Sequence, residues 1–141
     1  MNSPKVNKPI IEERFEHKGF PCVVVFQPMG FRCGYVGIPK GHKVYKKHYN
    51  DLDIDCHCGL TYSEDRLVMQ EDKDVWWIGF DCAHICDSPD IEKIKQYYGE
   101  DTANRIREIN FYLLDKPVRD LEYVKDNCKK IVDQLVENYE V

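Results

Sequence analysis

The chain has 141 residues, of which 43% are apolar and 32% charged, and its formal net charge is −5. These values are typical of one globular domain, and the lack of a basic stripe argues against duplex nucleic acid as a partner. No apolar run is long enough to cross a membrane, and residues 1–10 lack the apolar segment of a secretory signal. We therefore expect a cytoplasmic protein with reduced thiols. The odd count of seven cysteines agrees with this, because it argues against fully paired disulfides.

The first part of the chain, residues 11–87, predicts mainly strands after a loose N-terminal arm over residues 1–10. Residues 21–27 form a short apolar run rich in β-branched side chains, which indicates a buried strand. Residues 32–38 predict a second strand, and the short link between the two predicts an antiparallel hairpin. The remaining predicted segments are a strand over 53–62, an exposed polar connection over 63–74 and a strand over 75–80.

The second part, residues 88–141, predicts mainly helices. Ser88 followed by Pro89 is typical of a helix start, with serine as the cap, and a second helix over 101–110 is expected to turn Ile109 inward. The clearest helix covers 120–138, where apolar residues recur every three or four positions: Leu121, Val124, Cys128, Ile131 and Leu135. We interpret Cys128 as a small buried apolar residue.

Strands that precede helices in this way predict a single α+β domain over residues 1–141. In this fold, the N-terminal and central strands form an antiparallel sheet, and the C-terminal helices cover one of its faces.

Two central stretches, 55–62 and 76–86, hold four of the seven cysteines and two of the five histidines. A metal site is one chemistry to consider, because tetrahedral zinc is bound by thiolates and imidazoles. The spacings here are Cys-x-Cys and Cys-x-His-x-Cys, which are less specific than the usual Cys-x-x-Cys. We therefore expect no metal or other cofactor; if a metal is bound, the candidate ligands are Cys56, Cys58, Cys82, His84 and Cys86.

Thiol catalysis is a second possibility for these stretches. Cys82 would be the nucleophile, His57 or His84 its base, and Asp81 or Asp55 the group that orients the imidazole. Alternatively, Cys82 has only a structural role as a buried cysteine at the end of a strand, and we favour that interpretation.

Binding of a small polar ligand is the third possibility, and it needs apolar walls with a few convergent polar groups. Lys40, His42 and Arg66 would meet phosphate. Aromatic rings would stack on the ligand; the candidates are Tyr35, Tyr62, Trp76 and Phe80. Polar side chains would bind the ligand's edges; the candidates are His57, Thr61, Asp81 and His84. Trp76 and Trp77 point to opposite faces of their strand, so only one of them can line the pocket.

Residues 34–42, 55–62 and 76–84 resemble a family of small, mostly uncharacterised proteins encoded by phages and prophages. The motifs that carry this resemblance are Gly-Tyr-Val-Gly-Ile-Pro-Lys-Gly-His, Asp-Cys-His-Cys-Gly-Leu-Thr-Tyr and Trp-Trp-Ile-Gly-Phe-Asp-Cys-Ala-His. The residues that the resemblance carries over are His42, His57, Asp81, Cys82 and His84. The chain departs from the family pattern at Cys56, Cys58 and Cys86, which weakens a zinc site.

Phage genomes carry small anti-defence proteins of this size, and that analogy of context suggests a function. We expect a protein that binds and sequesters a nucleotide-derived host immune signal, of the cyclic ADP-ribose or cyclic oligonucleotide type. A homo-oligomer is expected because pockets shared between subunits bury a ligand deeply. Two other classes stay open: a Cys/His-dependent enzyme acting on a nucleotide or phosphoester, and a protein-binding inhibitor of a host factor.

Overall fold

The structure, a computed structural model, describes residues 7–67, 70–71 and 74–139. Five strands form an antiparallel sheet in the order β1-β2-β3-β7-β4, and two short strands, β5 and β6, pair separately. The strands are β1 (Ile10–His17), β2 (Phe20–Phe26), β3 (Arg32–Pro39), β4 (Tyr62–Glu64), β5 (Arg66–Leu67), β6 (Gln70–Glu71) and β7 (Val75–Asp81). The α-helices are α1 (Ile91–Tyr98), α2 (Glu100–Ile109) and α3 (Leu121–Tyr139), with 3-10 turns at Tyr49–Asp51 and Phe111–Leu113.

Helix α3 covers one face of the sheet, which confirms the predicted α+β fold. Its apolar stripe buries Val124, Cys128, Ile131 and Leu135 against sheet residues such as Val36 and Ile78. Gly34 in β3 permits this close packing, because a side chain there would meet the Phe80 ring at 2.6 Å and Cys128 Sγ at 2.8 Å. This glycine therefore makes room for the packing of α3 on the sheet.

The two other apolar clusters complete the core. On the sheet face opposite α3, Val23, Val25, Tyr35, Leu67 and Trp77 pack together. Helices α1 and α2 pack Ile94, Ala103 and Ile106 around Phe26 of β2. Within the part of the chain that the structure describes, no helix is long and apolar enough to cross a bilayer.

The predicted strand over residues 53–62 is wrong for most of its length, since only Tyr62 onward joins the sheet. Cys58 and Gly59 have positive φ angles of 54° and 84°, and these turn the chain. The backbone N–H groups of Asp53 and Asp55 donate to side chains of α3 and not to a neighbouring strand. The alternation of aspartate and aliphatic residues is typical of a strand. In the structure, however, the backbone hydrogen bonds of Asp53 and Asp55 are made to α3, which is distant in sequence.

Other boundaries also differ from the sequence-based prediction. Asp90, not Ser88, caps α1: its Oδ1 accepts from the Lys93 backbone N–H at 3.2 Å, while the Ser88 hydroxyl donates to the Pro89 carbonyl. Ile109 is 55% exposed and does not face inward. The expected exposed connection over 63–74 contains β5, β6 and the buried Leu67; positions 68, 69, 72 and 73 lie outside the described residues.

Candidate functional site

Asp87 is the centre of a buried polar network where the loops 55–61 and 82–88 meet the start of α3. Its carboxylate has no exposed surface and accepts hydrogen bonds from Arg119 Nε at 2.9 Å, His57 Nε2 at 3.0 Å and the His84 backbone N–H at 3.0 Å. Burial by itself raises the pKa of Asp87, but the hydrogen bonds from Arg119 and His57 outweigh it and hold that pKa below its ordinary value. Asp87 is thus a buried anion that ties three segments together.

His57 lies between Asp87 and α3 with both ring nitrogens occupied. Nε2 donates to Asp87, so Nδ1 is the acceptor for the Tyr123 hydroxyl, 2.7 Å away; this tautomer is assigned from the hydrogen-bond network. The His57 backbone N–H donates to Asn127 Oδ1 at 2.9 Å. In this arrangement His57 anchors the loop, and the ligand edge that the sequence predicted it to bind could reach a ring nitrogen only by displacing Asp87 or Tyr123.

Asp81 and His84 form a second polar group at the end of β7. Asp81 accepts from the Thr61 hydroxyl at 3.0 Å and from the Ala83 backbone N–H at 3.1 Å. His84 Nε2 lies 3.2 Å from Asp81 Oδ1, yet the atom is buried and not aligned for a hydrogen bond. The His57 and His84 ring centroids are 5.9 Å apart. The structure thus brings together His57, Thr61, Asp81 and His84 of the predicted ligand-binding residues.

A cleft of about 290 Å³, here called the His84 cleft, opens beside this group. It lies between the loop after β7 and the 3-10 turn after α2. Tyr112 and Ile85 on its rim are 60% and 81% exposed, which is unusual for large apolar side chains. Its full lining is Phe31, Ala83, His84, Ile85, Asn110, Tyr112 and Leu113.

Lys40, His42 and Trp76 lie at the opposite end of the sheet. In the antiparallel β3–β7 pair, Pro39 faces Val75 at one end and Cys33 faces Asp81 at the other. These ends are roughly 20 Å apart at a rise of about 3.4 Å per residue.

The side chains at that far end already have hydrogen-bond or ion-pair partners nearby. Lys40 is 3.8 Å from Asp74, Trp76 Nε1 donates to the Lys47 carbonyl, and His42 Nδ1 accepts from the Val44 backbone N–H. Two of the predicted phosphate-binding residues, Lys40 and His42, therefore do not share a pocket with Asp81 and His84.

The other aromatic residues predicted to stack on a ligand fill the core instead. Tyr35 is 4% exposed and packs edge-to-face on Tyr62 at 5.0 Å, and burial raises its pKa. Phe80 is 1% exposed, beneath α3. The Tyr62 hydroxyl donates to the carbonyl of the exposed Arg66. Tyr35 and Phe80 also lie on opposite faces of the sheet, so one pocket cannot use both.

The cysteines separate into core residues and a surface pair. Cys56 and Cys82 are buried beside α3; burial raises the pKa of Cys56 to about 12 and that of Cys82 further. A thiol held protonated is a poor nucleophile, so the geometry does not favour Cys82 as a catalytic residue. Cys58 and Cys86, by contrast, reach solvent with their sulfurs 3.9 Å apart. The candidate metal ligands therefore do not converge as one set.

Sequence reasoning missed Asp87, Arg119, Tyr123 and Asn127, which hold the site together. Arg119 donates to Asp87, and its guanidinium also lies 4.8 Å over the Tyr123 ring. A motif search could not single these residues out, because each is an ordinary polar residue in sequence. The one available signal was position: Arg119 lies just before the clearest helix, and Tyr123 and Asn127 lie in its first two turns, beside the apolar stripe.

Comparison with known proteins does not assign the chain to a group: no protein-family model, curated protein or solved structure matches it. The resemblance to phage proteins stays a prediction. Function is therefore inferred from the geometry of the site.

Proposed function

We propose that this protein binds a small ligand of the nucleoside or nucleotide class in the His84 cleft. One observation carries the proposal: the His84 side chain, 31% exposed, stands in the cleft wall beside the Asp81 carboxylate. Its Nε2 lies 3.2 Å from Asp81 Oδ1 without an aligned hydrogen bond, so a rotation of the ring would turn this nitrogen toward a polar ligand edge in the cleft.

The cleft lining suits a flat ring with a polar edge. Tyr112 and Phe31 offer aromatic surface for stacking, and Asn110 adds a side-chain amide near His84. A volume of about 290 Å³ lies at the lower end of the range for small-molecule pockets. A single base with its sugar would therefore occupy the cleft, and a larger cyclic nucleotide would extend beyond it.

Binding without turnover is the activity that these contacts support best. The Cys82 thiol is buried, and both ring nitrogens of His57 are engaged by Asp87 and Tyr123. The groups that a Cys/His-dependent enzyme would need are thus not presented to a substrate. Sequestration of a nucleotide-derived host immune signal, which would counteract antiviral defence, is the biological role that we propose for such a binder.

Calorimetry with four probes tests the proposal: AMP, ADP-ribose, cyclic ADP-ribose and cyclic di-AMP. We expect saturable binding of at least one probe. Tyr112→Ala should weaken it roughly five-fold or more, because stacking on one base contributes about 1–3 kcal/mol, and His84→Ala should weaken it several-fold, because a hydrogen bond to the ligand is lost. Lys40→Ala is the matched control. It removes an exposed side chain from the far end of the sheet and should leave affinity unchanged.

Two results would contradict this proposal. If Lys40→Ala weakens binding and the cleft variants do not, the ligand occupies the far end of the sheet. If no probe binds, a nucleotide ligand is the wrong class. Mass spectrometry of the probe after incubation separates binding from catalysis: an unchanged mass supports a binder, whereas a new product mass shows an enzyme.

A second candidate function is self-association, which an exposed apolar surface between α2 and α3 favours. This surface consists of Ile109, Phe111, Tyr112, Leu114 and Val118, which are 37–73% exposed. Large exposed apolar patches typically mark interaction sites. A second copy of the chain would cover the patch and close the adjacent cleft, as a tightly held ligand requires.

Sedimentation velocity tests self-association directly. We expect a particle of about twice the 16.7 kDa chain mass, and Phe111→Asp should return it to the monomer mass by placing a charge within the apolar contact. Met29→Asp, at an exposed apolar residue outside the patch, should not change the mass. A wild-type protein that sediments as a monomer at all concentrations would rule out this candidate.

A further inference from the structure

Two thiols and an imidazole converge at one point on the surface, beside the polar network. The candidate ligand atoms of His57, Cys58 and Cys86 all lie within 4.8 Å of one another. Cys58 Sγ and Cys86 Sγ are 3.9 Å apart. In a tetrahedral zinc site with Zn–S bonds of about 2.3 Å, two thiolates stand about 3.8 Å apart. The sulfur spacing therefore already matches one edge of such a site.

We infer that His57, Cys58 and Cys86 bind a thiophilic metal ion, with Zn²⁺ as the expected ion. Two thiolates and one imidazole are donors that zinc takes, and three protein ligands leave the fourth position open to water or another molecule. This ligand set differs from the one predicted from spacing, because Cys56 and Cys82 belong to the core and His84 contacts Asp81.

The surroundings of the three residues fit a metal site. Histidine ligands normally have a second hydrogen bond that fixes the ring, often to a carboxylate. His57 has such a bond to the buried Asp87, 3.0 Å away. Cys58 is exposed and Cys86 half-buried, so an ion can enter from solvent while the imidazole is held from within.

Metal binding changes three protein groups. His57 exchanges one of its two hydrogen bonds, to Asp87 or to Tyr123, for the metal, and the other remains as its support. Cys58 and Cys86 lose their thiol protons to solvent as the metal–sulfur bonds form. The metal keeps its oxidation state, and no other reactant is needed.

Titration of the fully reduced protein with Co²⁺ and then Zn²⁺ tests this inference. We expect one ion per chain, a thiolate-to-cobalt charge-transfer absorption, and loss of that absorption when Zn²⁺ displaces cobalt. Cys58→Ser and Cys86→Ser should each weaken Zn²⁺ binding at least about ten-fold, since even loss of a supporting residue typically has that effect. A thiol count of seven in the denatured protein confirms full reduction.

Two further variants keep the test independent of folding. Cys58→Gly removes the thiol at a φ of 54°, where glycine is at least as well accommodated, so it should fold and still lose the metal. Cys33→Ala changes a buried cysteine on the face of the sheet opposite α3 and should bind as wild type does. The inference is overturned if reduced wild-type protein takes up neither ion, or if the Cys58 and Cys86 variants bind Zn²⁺ as tightly as wild type.

Discussion

At the residue scale, Asp87 is the side chain on which the site depends most. Its two carboxylate oxygens accept from an arginine, a histidine and a backbone N–H, and none of its surface reaches solvent. A buried charge is tolerated only when such partners surround it. Removal of the charge would leave Arg119 and His57 without a negatively charged partner. The resulting loss in the free energy of unfolding should therefore exceed the loss from breaking a surface ion pair.

Asp87→Asn should therefore lower the free energy of unfolding by about 3 kcal/mol at pH 7. Because the folded-state pKa of Asp87 is below its unfolded value, this stabilisation is complete above about pH 4 and is lost as the pH falls through the folded pKa. The difference between wild type and variant should shrink at pH 3. Urea unfolding at both pH values measures it.

Asp133→Asn is the matched control for this prediction. Asp133 is 42% exposed and pairs with His17 and Lys18, both at 2.9 Å. Its pKa is also lowered, but a solvated pair contributes less than about 1 kcal/mol. If the two variants lose the same free energy of unfolding, Asp87 contributes no more to stability than a surface ion pair does.

At the element scale, residues 53–57 are held by α3 and not by the sheet. Three backbone N–H groups of the loop donate to helix side chains: Asp53 to the Tyr139 hydroxyl, Asp55 to Gln134 Oε1 and His57 to Asn127 Oδ1. Gln134 also donates to the Asp55 carbonyl. The helix thus positions His57 and Cys58 as a strand neighbour otherwise would.

Asn127→Ala should lower the free energy of unfolding by about 1–2 kcal/mol, because it leaves the backbone N–H of the buried His57 without its acceptor. Amide hydrogen exchange should accelerate over residues 55–60 and remain slow in β2 and β3. Asn104→Ala, on the exposed side of α2, is the control and should change neither quantity. Uniform acceleration across the sheet would show that the loop is not a separately held unit.

Elements with regular periodicity could be predicted from the sequence, and this loop could not. The β-branched run of β2 and the apolar stripe of α3 both carry local patterns that specify structure and buried face. Aspartate and aliphatic residues also alternate from Asp51 to Asp55, but the backbone N–H groups of Asp53 and Asp55 find their hydrogen-bond partners about 80 positions later in the chain. The same limit applies to the site, because Asp87 and Arg119 gain their roles only when distant segments meet.

At the scale of the whole molecule, the antiparallel β3–β7 pair divides the predicted pocket between two ends of the sheet. His42 and Asp81 belong to motifs that flank these two strands, yet strand direction places them at opposite ends. The aromatic rings between them are buried on either face. What remains on one surface is the polar group of Asp81 and His84, the His84 cleft, and the apolar residues 109–118.

Our central claim is that a nucleotide-class ligand occupies the His84 cleft, and NMR titration of ¹⁵N-labelled protein with AMP tests it most directly. We predict saturable amide shift changes at residues 83–85 and 110–113, and none at residues 40–48. Changes that cluster at residues 40–48 would contradict the claim, as would the absence of changes with AMP, ADP-ribose, cyclic ADP-ribose and cyclic di-AMP alike at millimolar concentration.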